Sequence, residues 1–362
     1  MTSIPLDDFS VRELPMTMHA PIIKKLGPAE SLKIATNNKD FRKILSMNKL
    51  SAISLYYKFE VNFWDDRVFI EVDFGDNTSK FWICVPSGTP VKLGKRTKKR
   101  QTPLEIDDIV FQWKEFKGFT RINKRALSEV MCLESDRTVP GVNQWEVLEM
   151  YAKFLMDLIK VEKVNIHGSF SEDNDLFESF LWKHQREISD IIADLENEKT
   201  PMENFQFFNE QLAIEKCKLT FHEETSKEHL FAYKNPITMR DFTLYEADFL
   251  HQDAILNSSC SIINLYIYAA PYSLMNSVVR SWMNGGLANL QKMKVTCNHH
   301  QRSVEDEHSL DCFVTINEDP ERSPNLRVIR RPNDDAQATI WYDYKRNVEF
   351  EVQKPLTEAE DD

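Results

Sequence analysis

Four short segments of one form recur at near-constant spacing. They are Lys218-Leu219-Thr220-Phe221, Asp241-Phe242-Thr243-Leu244, Asn264-Leu265-Tyr266-Ile267 and Lys292-Met293-Lys294-Val295. Each reads polar-apolar-x-apolar, the alternation of a strand with one buried face. Phe221 to Leu244 is 23 residues, Leu244 to Ile267 is 23, and Ile267 to Val295 is 28. One strand plus one helix or turn per roughly 20–29 residues is the period of leucine-rich-repeat-like units. The asparagine-and-leucine signature of regular repeats is absent. The spacing therefore predicts an irregular α/β solenoid, or curved parallel sheet. An ordinary α/β domain is the alternative.

The segments around this array follow local rules. Trp145, Leu148, Ala152, Leu155 and Ile159 share a helical face, followed by a short strand or turn at Val161, Val164 and Ile166. Leu176–Leu195 reads as an amphipathic helix, with Phe177, Phe180, Leu181, His184, Ile188, Ile191 and Ile192 on its buried side. Asn204–Phe208 reads as a short extended piece. A helix from Ser273 to Met283 ends at Asn284-Gly285-Gly286, because glycine tolerates the left-handed conformation that closes a helix. Val328–Arg331 and Ala338–Tyr342, joined by Pro332-Asn333-Asp334-Asp335, form a C-terminal hairpin, and Val348–Val352 adds a strand. The tail from Thr357 is acidic and expected to be disordered.

Before the array lies a β-rich segment, 49–125. Ile53, Leu55, Tyr57 and Phe59 alternate along an extended chain, and Gly75-Asp76-Asn77 separates Val68–Phe74 from Lys80–Val85 as a hairpin turn would. Glu105–Phe119, rich in β-branched and aromatic residues, reads as strand. Between them Val91–Arg100 carries Lys92, Lys95, Arg96, Lys98, Lys99 and Arg100 in a chain of net charge −12. This run is a solvated loop, a nuclear-import signal or a patch for acidic or phosphorylated partners.

The first stretch, 9–48, reads as three short helices. Leu14-Pro15 opens the first, and Met18, Ile22 and Leu26 form one apolar stripe along it. Pro21 kinks this helix or delays its start. Gly27-Pro28 and Asn37-Asn38 break the run, and Leu32, Ile34 and Phe41 supply further apolar positions. Such a unit is too small to bury its own apolar surface. It is either the cap of a larger fold or a docking module.

Leu14-Pro15, Ile22, Leu26-x-Pro28, Leu32 and Phe41 resemble the F-box pattern, in a degenerate form. Arg280–Val295 (R-S-W-M-N-G-G-L-A-N-L-Q-K-M-K-V) and Arg327–Ile340 resemble segments of the F-box-associated domain of nematode F-box proteins. The resemblance implies an α+β and α/β chain with an F-box-like unit at 9–48, a β-rich segment at 49–125, an F-box-associated domain at 126–352 and an acidic tail at 353–362. It implies a substrate-receptor subunit of an SCF-type ubiquitin ligase. Leu14, Pro15, Met18, Ile22, Leu26, Pro28, Leu32 and Phe41 would then bind a Skp-type adaptor, and through it a cullin, while the C-terminal domain holds a target protein. A scaffold that has lost adaptor binding is the alternative.

Little else points to chemistry. Cys297, His299, His300, His308 and Cys312 do not match a common zinc spacing, so no metal is expected. His222 has no second histidine four residues on, and no glycine-rich phosphate loop or nucleophile elbow occurs. No catalytic residue, cofactor or small-molecule substrate is expected. The acidic balance argues against nucleic acid and anionic membrane. Scattered cysteines, no apolar run of membrane length and a polar first segment lead to an expectation of cytoplasm or nucleus.

Overall fold

In a computed structural model the described residues are 16–60, 67–75, 80–86, 101–106, 109–122, 126–135, 144–171, 187–196, 199–222, 227–268, 271–297, 326–332, 334, 336–343 and 347–353. The chain forms two compact units and passes from the first to the second near Ser169. Both are mixed α/β, and each is built on an open mixed sheet, not a barrel.

The first unit begins with α1 (Met16–Leu26), α2 (Pro28–Asn37) and α3 (Lys39–Met47). The helix α1 runs through Pro21, which lies on its exposed side. Its inward face is His19 and Ile23, one turn apart and both buried. Gly27 breaks the chain at φ +80, a conformation that L side chains avoid. Asn38 starts α3 by accepting from the Asp40 and Phe41 amides at 3.0 and 2.9 Å, so two orphan donors are satisfied. Arg42 reaches back to the last turn of α2, donating from Nε to the Ala35 carbonyl at 3.0 Å and from its fork to the Thr36 carbonyl at 3.3 Å. Its cationic plane lies over the Phe154 ring of α4 (Gln144–Leu158), 5.1 Å from the centroid. Lys49 plays the same terminal role for α4, donating to the Met156 carbonyl at 2.8 Å. Both cations stand where the helix dipole favours them.

The sheet of this unit has β1 (Leu50–Glu60), β2 (Arg67–Asp73) and β3 (Lys80–Pro86) as an antiparallel meander. Beyond β3 come β6 (Ala126–Ser135), β5 (Ile109–Ile122) and β4 (Gln101–Ile106). β6 is parallel to β3, and β7 (Ile159–Ser171) is parallel to β1 on its other side. Leu55 and Tyr57 are buried as the alternation predicts, and burial raises the Tyr57 phenol well above its ordinary pKa. Ala52 and Ser54 on the opposite face are buried too, whereas Ile53 is exposed, its side chain lying over Gly75. Gly75 has φ +85, so backbone conformation favours glycine in the turn after β2, while the exposed Ile53 tip could move aside for a β carbon.

The second unit carries five parallel strands in sequence order: β8 (Glu187–Glu196), β9 (Ala213–Phe221), β10 (Asp241–Leu244), β11 (Ile262–Ile267) and β12 (Lys292–Cys297). An antiparallel meander follows: β15 (Asn347–Val352) beside β12, then β14 (Gln337–Asp343) and β13 (Leu326–Arg330). The crossovers contain α5 (Pro201–Gln211), α6 (Gln252–Leu256) and α7 (Pro271–Met283). The face they cover is apolar: Phe242, Leu244, Ile263, Leu265, Met293, Val295 and Phe350 are all buried. Trp282 of α7 meets Phe350 of β15 edge to face, with centroids 5.4 Å apart.

Two expectations are overturned. Glu187–Glu196 is a strand, not the end of a helix, and Ile192, assigned to the buried side of that helix, is exposed. The pairing Ile191↔Cys217, Ala193↔Leu219 and Leu195↔Phe221 buries alternate residues, so sheet pairing overrides a helical spacing of isoleucines. The remainder of that expected helix, with Phe177, Phe180, Leu181 and His184, lies outside the described residues. Asn204–Phe208 belongs to a helix, α5, not an extended piece. Thr200 and Glu203 form a reciprocal capping box, with Pro201 at the first position. The helix is lashed down by Asn209, which donates to the Tyr233 hydroxyl at 2.7 Å and the Pro236 carbonyl at 3.0 Å and accepts from the Thr238 amide at 2.9 Å.

The four segments of the repeating array are strands, with the parallel registers Thr243↔Lys218, Thr243↔Asn264 and Asn264↔Lys294. The C-terminal hairpin and its added strand also form. No helix among the described residues is long and apolar enough to cross a membrane.

Candidate interaction surfaces

The expected adaptor-binding residues divide by burial. Leu14 and Pro15 lie outside the described residues. Met18 is 50% exposed, and Ile22, Leu26 and Pro28 are half-buried. Leu32 is 0% and Phe41 2% exposed, so these two hold the helices together and present nothing outward. The available surface is the stripe Met18–Ile22–Leu26, next to the inward His19–Ile23 face on the same helix. Lys92, Lys95, Arg96, Lys98, Lys99 and Arg100 lie outside the described residues, as do His299, His300, His308 and Cys312. Cys297 is half-buried, its thiol 3.6 Å from the Tyr268 carbonyl. No group of three metal-capable side chains occurs among the described residues.

In the second unit, the sheet face opposite α5–α7 is polar and partly open. Register sets its residues in lateral rows. The middle row runs Lys218, Thr243, Asn264, Lys294, Glu349 and Trp341, one from each successive strand. Leu326 continues it beside Trp341, and these two apolar side chains are 39% and 41% exposed. The next row, at the carboxyl ends of the strands, holds Tyr245 and Tyr266. Their rings are stacked, 4.1 Å between centroids and 10° from parallel. The Lys218 ammonium lies over Tyr245 at 5.6 Å from the centroid, a cation–π contact. The Tyr266 phenol is held above its ordinary pKa by burial and by its hydrogen bond with Tyr245, against the pull of Lys294 and Lys218. Asn264 donates to the Thr243 hydroxyl at 3.1 Å.

The row at the amino ends is paired. Lys292 bridges Glu349, and Glu351 at 3.7 Å. The hydrogen bond to Glu349 raises its pKa. Arg240 bridges Glu215, and Asp241 at 3.1 Å. A groove of about 580 Å³ runs along this row, past Ile262, Lys292, Thr339 and Glu351.

A second cleft, of about 310 Å³, opens where β10 and β11 end, between Leu265, Ile267, His251 and Leu274. Its position beyond the carboxyl ends of parallel strands is the usual one for ligand crevices in open α/β sheets. Its polar groups fix the backbone: Asp248 accepts the Tyr268 amide on both oxygens at 2.9 Å, and His251 caps α6 through the Asp253 amide at 3.2 Å. Gln252 and Ser273 add polar groups at its wall, and the rest of the lining is apolar.

Sequence reasoning placed the strands of the open face but missed the tyrosine stack and the two flanking lysines. The signal was present: every outward position of the repeated segments is polar or tyrosine.

No family model, curated protein or solved structure matches this chain.

Proposed function

We propose that the chain is a substrate-receptor subunit of an SCF-type ubiquitin ligase, with α1–α3 as a degenerate F-box and the second unit as a target-binding domain of irregular, leucine-rich-repeat-like character. The observation that carries this reading is the half-exposed stripe Met18–Ile22–Leu26, on the helix that the resemblance assigns to the adaptor. An apolar stripe on a short helical unit gains by completing its core on a partner. Five parallel strands in sequence order, with helices on one face, agree with a solenoid-like domain that offers its other face.

On this reading the chain works by proximity. It holds a target near the ubiquitin-loaded enzyme and raises its effective concentration, with no catalytic residue or cofactor of its own. A cullin is reached through the Skp-type adaptor, and the place of action is cytoplasm or nucleus. The internal position of Leu32 and Phe41 favours the second reading, a scaffold without an adaptor, because it leaves fewer of the family positions for contact.

Co-purification of the full chain with a Skp-type adaptor decides between them. Capture that is lost in Met18→Glu/Ile22→Glu supports the receptor. Absence of capture by the unaltered chain leaves the scaffold.

A further inference from the structure

The middle and carboxyl-end rows of β9–β12 hold eight outward residues, and none is a carboxylate. They carry two lysines, Lys218 and Lys294, with hydroxyl, amide and phenol groups between them. In a chain of net charge −12 this is a local inversion of sign. The carboxylates nearest in the fold are committed or flank the patch. Glu349 bridges Lys292, Asp241 bridges Arg240, Glu246 accepts from the Tyr268 hydroxyl at 3.0 Å, and Asp194 stands on β8 beside Thr220. Farther along the middle row stands the exposed pair Trp341 and Leu326, a flat apolar surface at the opposite end from Lys218. Basic and apolar features thus lie on one line across the strands.

The spacing along that line is fixed by the sheet. Strands stand about 4.8 Å apart, so Trp341 to Lys294 is about 10 Å and Trp341 to Lys218 about 24 Å. An extended chain advances about 3.3 Å per residue. Side chains of an extended segment alternate, so in one lying across the strands with an apolar residue on Trp341 the same-face residues nearest these distances are the fifth, about 13 Å on, and the ninth, about 26 Å on, each within reach of a long lysine side chain. The stacked Tyr245 and Tyr266 border the far half of this path with phenol groups that accept or donate hydrogen bonds. The groove along the amino-end row gives the segment a second edge.

We propose that this open sheet face binds an extended acidic peptide segment of a partner protein, with an apolar anchor on Trp341 and Leu326 and carboxylates four and eight residues later on Lys294 and Lys218. The proposal deepens the receptor reading and rests on it for its biological sense, since it names the class of segment by which a target would be held.

The test uses the full chain and three fluorescent nonapeptides, each with leucine first. The fifth and ninth residues are glutamate in one, glutamine in the second and lysine in the third, and the rest are serine. The glutamate peptide is expected to bind about tenfold more tightly than the glutamine peptide at low salt, since two exposed charge pairs supply about that much. The difference shrinks as salt screens it. Lys218→Glu/Lys294→Glu should lose this preference and bind the lysine peptide instead. Trp341→Ala should weaken the glutamate and glutamine peptides alike. Equal binding of the three peptides, binding of none, or a preference unmoved by the double reversal overturns the proposal. Peptide binding needs no adaptor, so adaptor capture measured on the same preparation separates failure of this surface from failure of the receptor reading.

Discussion

The guanidinium of Arg331 lies over the indole of Trp282, with Cζ 4.8 Å from the ring centroid. The same guanidinium holds Asp334 with two hydrogen bonds, Nε to Oδ1 at 2.7 Å and the fork nitrogen to Oδ2 at 2.6 Å. Asp334 in turn accepts the Ala336 amide at 3.2 Å. One side chain thus joins the buried tryptophan of α7 to the turn between β13 and β14. Lysine cannot supply the flat, forked contact. Arg331→Lys should destabilise the chain by about 1 kcal/mol and Trp282→Ala by about 3–5 kcal/mol in urea unfolding. Equal losses would show that the indole counts only as a platform for the arginine.

Acid should loosen two local structures. Hydrogen bonds from Thr200 hold the Glu203 carboxyl below its ordinary pKa, and the Arg331 bond does the same for Asp334. A depressed folded pKa contributes stability that is present above the unfolded value, about 4, and is lost as pH falls through the folded value. Amide exchange at the start of α5 and in the 331–336 turn should therefore rise below about pH 4. Thr200→Ala should cost about 1 kcal/mol and only lessen the acid sensitivity at α5, because the residue-200 backbone amide still donates to Glu203, whereas Glu203→Gln should remove it.

Stability and docking should separate within α1–α3. Phe41→Ala empties a buried site and should cost about 3–5 kcal/mol. Met18→Glu alters a half-exposed position and should change stability by under about 0.5 kcal/mol. Thermal unfolding of the two variants checks this. Comparable losses would mean that Met18 is internal to the fold.

Gly27 tests conformation without packing. A β carbon there meets nothing within 4 Å, yet φ is +80. Gly27→Ala should cost about 1–3 kcal/mol from backbone strain alone, and Gly27→Asn should bring no relief, because ψ of 162 lies outside the left-handed helical well that asparagine tolerates.

Cys217 and Cys260 should resist thiol reagents in the native protein. Burial raises both thiols, Cys260 to about 11, and the thiolate is the reactive form. Labelling of either at neutral pH, at the rate of a free thiol, would contradict the burial described.

Much of the second unit was legible. In the four repeated segments the outward positions are polar or tyrosine and the inward ones apolar, so alternation alone located those strands and their covered face. The end of α7 was legible because Gly285, at φ +84, and Gly286 close it, the Gly286 amide donating to the Ser281 carbonyl at 2.9 Å. The start of α5 was legible too, in Thr200-Pro201-x-Glu203, but the aromatic run Phe205–Phe208 hid it. Ile188, Ile191 and Leu195 fit a helix as well as a strand, and nothing local separates the two.

The sequence by itself determined the alternating strands, the helix stops at Gly27 and Gly285, and the three short helices at the start, because each is set by side-chain period or backbone freedom within a few residues. Tertiary structure decided what lies far apart in the chain. It made Glu187–Glu196 a strand by pairing it with β9. It placed Leu32 and Phe41 inside while leaving Met18 out. It also aligned Lys218, Lys294 and Trp341 on one row. Register and burial are properties of contacts between distant segments, and their energies enter only when those segments meet.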